Sequence, residues 1–325
     1  MATRLAITLG DPAGIGPEVT LKALAQMDRS LFSVVLVGAS ASLAYPFLKK
    51  YLDLLSIQPY DPADCQPGQV YFKEIGFTVG AKIGVATADN GRVAYESICW
   101  ATRAIQEGHL HALVTAPICK ASLMMADIAY TGHTSMLSSL TGSQDVSMAF
   151  YTPGLKVVLA TIHIPLSQVP AQLDSSTLGR AIRHAGLFLR LLGVASPKIA
   201  VAGLNPHAGE GGMFGGEEEQ VICPLIQSLE PDFEGDLSGP YPPDTLFYRA
   251  VQGEFDGVVA LYHDQGLIPV KLMGFDTAVN VSLGLPFVRT SPDHGTAFDI
   301  VGQDQASANS MTQAIVLALR LVKGQ

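Results

Sequence analysis

The sequence predicts an α/β protein with a largely parallel sheet, and three observations predict it. Short apolar, β-branched runs recur along the chain, and segments of helical periodicity separate most of them. The chain is 325 residues long, more than one hydrophobic core usually holds, so a two-domain molecule or one domain with a large lobe is the expected packing. Apolar residues make up 48% of it, enough to fill such cores.

The first run, 5–9, enters the turn Gly10-Asp11-Pro12-Ala13-Gly14-Ile15-Gly16-Pro17-Glu18 and then a helix over 19–27. Pro17 at the first helical position and Glu18 in the first turn are start signals. The glycine spacing is not G-x-G-x-x-G, so a Rossmann pyrophosphate turn is not expected. An anion site at the helix N-terminus and a plain strand-to-helix turn both remain open. Further strands are expected at 33–37, 113–115, 146–151, 157–162, 199–202, 258–261 and 278–283, with helices at 93–107, 177–192, 217–229 and 307–322. The acidic triplet Glu217-Glu218-Glu219 reads as the first turn of its helix, where carboxylates favour the positive end of the dipole. His109, His111 and His184 read as structural.

Composition excludes several functions. A formal charge of −9 argues against a nucleic-acid partner, since counterion release needs a basic surface. Cys65, Cys99, Cys119 and Cys223 are scattered without a Cys-x-x-Cys pair, so they read as buried or incidental thiols. The longest apolar stretches are interrupted by arginine and fall short of a bilayer span. The N-terminal residues lack the pattern of a signal peptide, and the expected location is the cytoplasm.

Three histidines carry the chemistry. His207 lies in Gly203-Leu204-Asn205-Pro206-His207-Ala208-Gly209-Glu210-Gly211-Gly212, a loop almost devoid of bulky side chains. His163 and His263 each follow an apolar β-like run. In an open α/β sheet ligands bind beyond the carboxyl ends of strands, where all three histidines fall. Neutral imidazoles suit zinc and similar divalent ions, and three protein ligands leave positions open for a substrate. Asp264 and Asp244 stand as further ligands, orienters or proton acceptors. A second polar set, His133, Thr134, Lys271, Asn280 and Arg289, has the donors and charges that bind phosphate. A third stretch runs Asp293-His294-Gly295-Thr296-Ala297-Phe298-Asp299.

Together these motifs resemble the 4-hydroxythreonine-4-phosphate dehydrogenase family of pyridoxal phosphate biosynthesis. The similarity rests on 10–18, Thr115-Ala-Pro-Ile-Cys-Lys120, 131–134, 204–212, Tyr262-His-Asp-Gln-Gly266 and 289–302. Ser135 and Cys119 depart from the residues its members often carry. The resemblance implies two α/β/α lobes around a cleft, like isocitrate and isopropylmalate dehydrogenases and unlike a Rossmann fold. Residues 1–130 plus 276–325 would form the cofactor-side lobe, and 131–275 the metal, substrate and dimerisation lobe. It makes His163, His207 and His263 the ligands of one divalent ion (zinc, cobalt or magnesium), one of them supplied by the partner in a homodimer. It makes His133, Thr134, Lys271, Asn280 and Arg289 the substrate set, with Lys271, Asp244 and Asp264 as catalytic candidates.

The same resemblance gives Asp293, His294, Gly295, Thr296, Ala297 and Asp299 to NAD. An acid at Asp299 would accept from ribose hydroxyls and repel a 2′-phosphate, so NADP is less favoured. The implied reaction is oxidation of 4-phosphooxy-L-threonine at C3, followed by decarboxylation to 3-amino-2-oxopropyl phosphate. The alternatives are the same chemistry on D-threonate or D-erythronate 4-phosphate and, from another class, a non-redox metal- and phosphate-binding protein.

Overall fold

A computed structural model describes residues 2–76 and 82–325. Numbered along the chain, its strands begin with β1 (Thr3–Thr8), β2 (Phe32–Gly38), β3 (Gln58–Pro59), β4 (Val70–Glu74), β5 (Ala112–Thr115) and β6 (Ser147–Thr152). They continue with β7 (Leu155–Leu159), β8 (Lys198–Ala202), β9 (Asp236–Tyr241), β10 (Gly257–Ala260), β11 (Val279–Leu283) and β12 (Val288–Pro292). The α-helices are α1 (Gly16–Gln26), α2 (Lys49–Leu55), α3 (Ala88–Gln106), α4 (Lys120–Met125), α5 (His133–Thr141) and α6 (Val169–Gln172). After them come α7 (Leu178–Leu191), α8 (Cys223–Leu229), α9 (Pro243–Val251), α10 (His263–Gly274) and α11 (Asn309–Lys323).

The chain divides into two compact units, Met1–Gln144 with Leu285–Val322, and Asp145–Gly284 with Lys323–Gln325. In the first unit the strand order is β3-β4-β2-β1-β5-β12, all parallel. Every residue of β2 is buried, the continuous apolar run that a parallel strand covered on both faces requires. Helix α3 starts at Thr87, whose side chain accepts from the Asn90 N–H. Its residues Ile98, Ala101 and Ile105 recur at helical spacing and pack with Ala6, Val35 and Leu113 of the sheet.

In the second unit the order is β11-β6-β7-β10-β8-β9. Strands β7, β10, β8 and β9 are parallel, while β6 runs antiparallel to both β7 and β11. The sheet is thus largely parallel, as expected, with β6 as a local exception. Only Pro153 and Gly154 join β6 to β7, and two residues suffice for a hairpin but not for a crossover.

Each of the eight expected strand regions contains a strand, but β3, β4, β9 and β12 were not expected. Strand β12 reads Val-Arg-Thr-Ser-Pro, yet all five residues are buried. Its polar groups are bonded instead of solvated: Thr290 Oγ1 donates to Ala314 O at 2.8 Å, and Arg289 Nη2 donates to Thr115 Oγ1 at 2.6 Å. Helix α10 was hidden by its internal Gly266 and Pro269, both of which read as helix breakers. The units also divide elsewhere than at 130/131 and 275/276. Met136 and Leu137 of α5 belong to the first unit's core, and Asn280 lies on β11, paired with Phe150 of β6. The acidic triplet opens its helix as expected, and Glu218 is moreover buried there, at the start of a wide helical turn, Glu218–Ile222.

Candidate functional site

Because β7, β10, β8 and β9 run parallel, their carboxyl ends share one edge. His163 follows β7, His263 follows β10, His207 follows β8, and Asp244 opens α9 directly after β9. The imidazoles of His163 and His263 come together, with ring centroids 5.5 Å apart. They line a cavity of about 300 Å³ with Ile162, Tyr262 and Asp264. Asp264 Oδ1 lies 2.7 Å from His263 Nδ1. A carboxylate there accepts a hydrogen bond from Nδ1–H and so favours the tautomer that leaves the Nε2 lone pair for coordination, the arrangement usual for a metal-ligating histidine.

His207 stands apart from this pair. Its neighbours are Glu210, 3.7 Å away, and the Phe214 ring at 6.0 Å. Among the described residues no group of three His, Cys, Asp or Glu side chains gathers at metal-ligand spacing. The backbone that carries His207 is unusual: His207, Ala208, Gly209, Glu210, Gly211 and Gly212 all have positive φ, between 43° and 85°. Left-handed backbone costs a residue with a Cβ roughly 1–2 kcal/mol, so three such residues in one turn need support from their surroundings.

Two residues that sequence reasoning did not assign align the loops. Thr161 Oγ1 donates to Leu261 O at 2.7 Å and ties the His163 segment to the end of β10. Gln265 accepts from Leu261 N–H at 2.7 Å and donates to Gly203 O at 2.8 Å, joining the approaches to His263 and His207. Gly266 completes the run, since a Cβ there would meet Leu159 Cδ2 at 2.6 Å where α10 lies against the sheet. The signal for Gln265 was available in the sequence as its place in His-Asp-Gln-Gly.

In the first unit a smaller pocket, about 160 Å³, is lined by Thr115, Lys120, His133, Ser291 and His294 among others. Arg289 is buried beside it, bonded to Thr115, and burial pushes its pKa down to about 9, which still leaves the guanidinium charged at neutral pH. His133 opens α5 with Thr134 next to it, and its Nε2 is shielded from solvent without a hydrogen-bond partner among the described residues. Burial, and then the charge of Arg289, hold its pKa well below 6.5. A neutral imidazole beside a buried guanidinium suits an incoming anion. Thus the structure brings His133, Thr134 and Arg289 into the first unit, while Lys271 and Asn280 belong to the second, on α10 and β11. Lys271 Nζ sits 5.0 Å over the Phe275 ring, and Asp244 is exposed.

The stretch after β12 is a loop from Asp293 to Ala308. Thr296 O accepts from the Ile15 N–H at 3.0 Å, Asp293 N–H donates to Ser310 Oγ, Ala297 takes a φ of 42°, and Asp299 is exposed. Its far end is clamped by Lys22, whose Nζ donates to Glu18, to Asp304 O and to Ala306 O. Lys50 and Tyr51 also bond the Asp304 carboxylate. Of the two readings of the first turn, the structure favours the structural one: Asp11 accepts from Ala13 N–H and Ser122, and Glu18 is buried in the first turn of α1.

Fold and sites together define an α/β protein with imidazoles at one set of parallel strand ends and a buried cationic pocket in its other unit. The family model for pyridoxal phosphate biosynthetic protein PdxA matches residues 31–318, and the chain belongs to that family. Among its relatives, a 4-hydroxythreonine-4-phosphate dehydrogenase of Beijerinckia indica subsp. indica is 43% identical, covering 98% of this chain and 94% of its own. A D-threonate 4-phosphate dehydrogenase of Pectobacterium atrosepticum is 41% identical, covering 99% and 100%. The crystal structure of a 4-hydroxythreonine-4-phosphate dehydrogenase from Klebsiella pneumoniae superposes with a TM-score of 0.85 at 40% identity, covering 99% of this chain and all of that one. The chain is accordingly a PdxA-type dehydrogenase, an oxidoreductase acting on a CH–OH group, with that non-Rossmann fold.

Proposed function

We propose that this enzyme oxidises the C3 hydroxyl of 4-phosphooxy-L-threonine with NAD and one divalent ion, and that the β-keto acid formed then loses CO₂ to give 3-amino-2-oxopropyl phosphate. The observation that carries the reading is the pairing of His163 with His263, whose Nδ1 is engaged by Asp264. This donor set fits zinc or cobalt better than magnesium, which takes oxygen ligands, with His207 as the third ligand, presented from its exposed loop by one copy to the other in a homodimer. A divalent ion supplies Lewis acidity toward the substrate hydroxyl, and the nicotinamide accepts hydride.

This chain's residues supply the rest. Arg289, His133 and Thr134 hold the phosphate, with Lys271 and Asn280 as further substrate contacts. One of Lys271, Asp244 and Asp264 takes the hydroxyl proton as the C3–H bond gives up its hydride. In the second step the C1–C2 bond breaks, its electron pair passes into the enolate, and C2 takes a proton. The loop from Asp293 to Asp299 holds NAD, the exposed Asp299 carboxylate accepting from ribose hydroxyls and disfavouring NADP. No helix among the described residues is long and apolar enough to cross a membrane.

A second reading has the same residues acting on D-threonate or D-erythronate 4-phosphate, and the full-length match to the Pectobacterium enzyme favours it. Nicotinamide reduction measured with all three phosphates, with and without a chelator, separates the two. Metal-dependent turnover preferring the amino acid supports the first reading, preference for the sugar-acid phosphates supports the second, and turnover unaffected by chelation overturns the metal.

A further inference from the structure

The acidic triplet at 217–219 does work that neither the family nor the reaction assigns. Glu218 lies buried beneath the loop that bears His207. Its Oε1 accepts from the N–H groups of Leu204 and Asn205, both at 2.8 Å, and its Oε2 accepts from Asn205 Nδ2 at 2.9 Å. Burial alone would raise its pKa, yet the bonds from Asn205 and Leu204 outweigh burial and leave it lowered. The carboxylate is packed so closely that a Cβ on Gly209 would sit 2.8 Å from Oε2. Glu217 adds a second acceptor for Asn205 Nδ2 at 2.8 Å.

Above this carboxylate runs the left-handed turn 207–212, in which His207, Ala208 and Glu210 adopt backbone that residues with a Cβ avoid. Such backbone persists only where its surroundings determine it. The anchor reaches the residues immediately before the turn and touches Gly209 within it, while the His207 side chain is itself mostly exposed. We infer that Glu218 is a positioning residue: its buried carboxylate holds the left-handed turn in the one shape that presents the His207 imidazole for metal ligation. The inference rests on His207 being a ligand, as proposed above.

Zinc affinity, measured by competition with a chromogenic chelator on the full chain, tests it without reference to turnover. Glu218→Gln places amide hydrogens or a weaker acceptor against the same donors. It is expected to weaken zinc binding about 10- to 100-fold, the loss typical when a residue supporting a metal ligand is changed. NAD binding should be unaltered. Adding Ala208→Gly and Glu210→Gly to that variant should restore affinity to within about threefold, because glycine adopts left-handed backbone without support. A purely structural loss would not be rescued this way. Should Glu218→Gln not fold, Glu218→Asp, which keeps the charge but shortens the reach by one methylene, takes its place with the same rescue.

His207→Ala separates the two levels of argument. If it loses zinc while the Glu218 variant binds as wild type, the positioning role is overturned and the ligand stands. If wild type and His207→Ala bind zinc alike, His207 is not a ligand and the inference falls with it. Loss without rescue by the glycines also overturns the positioning role.

Discussion

His133 illustrates how one residue's protonation links the site to solution conditions. Burial and the neighbouring Arg289 keep it neutral, burial and Arg180 with Arg183 lower His184, and burial and Arg4 lower His111. In each case the unfolded chain binds its proton more readily than the folded one, so stability is full above about pH 6.5 and falls as pH drops below it. Chemical denaturation at pH 7 and pH 5 should show lower stability at the acid end, with part of that slope removed by His133→Gln. An anion entering beside His133 favours the charged imidazole, so phosphate-ester binding near pH 7 should take up protons. Calorimetry in two buffers of different ionisation enthalpy reads this, and equal heats would contradict it. At Gly266 steric limits decide: Gly266→Ala drives a Cβ to 2.6 Å from Leu159 and should cost about 1–3 kcal/mol, seen as a lowered melting temperature.

At the scale of elements, loops are held by single buried side chains. Lys22 on α1 is 10% exposed at its side chain and reaches Glu18, Asp304 and Ala306, so it fixes the end of the 293–308 loop from nearly 300 residues away in sequence. Lys22→Met leaves the Glu18 carboxylate buried without its partner and should cost about 3 kcal/mol. In the same variant the KM for NAD should rise several-fold while zinc affinity is unchanged, because the clamp touches the loop proposed to hold NAD and no imidazole. A variant with unaltered KM for NAD would remove the clamp from cofactor binding. Helix α10 works differently, concentrating His263, Asp264, Gln265 and Gly266 in one turn, so that the proposed ligand, its carboxylate partner, the loop tie and the close approach to the sheet lie side by side.

At the scale of the whole molecule, α10 also carries an apolar face open to solvent. Ile268, Leu272 and Phe275 follow one another at helical spacing and are 60%, 83% and 77% exposed. A contiguous apolar stripe of this kind marks a surface that pairs with protein, and it supports the homodimer proposed above. Leu272→Glu should convert the dimer to monomer in light scattering with little change in circular dichroism. Zinc affinity should fall with it if His207 ligates across the two copies. An unchanged mass would remove this stripe from the proposed dimer contact.

The sequence by itself determined the alternation of strands and helices, because hydrophobic periodicity is a local property, and it singled out His163, His207 and His263 as imidazoles just past apolar runs. It also placed Arg289 and His133 in one binding set by resemblance. What it did not carry is partnership between distant residues. Strand β12 looks polar until Thr115 and Ala314 are seen to bond its side chains. Glu218 reads as one carboxylate of a helix start, which it is, but the N–H groups of Leu204 and Asn205 that point at it come from a loop the sequence does not place there. Only the tertiary structure decided these, since the worth of a polar group depends on whether folding leaves it in water or supplies its donors and acceptors.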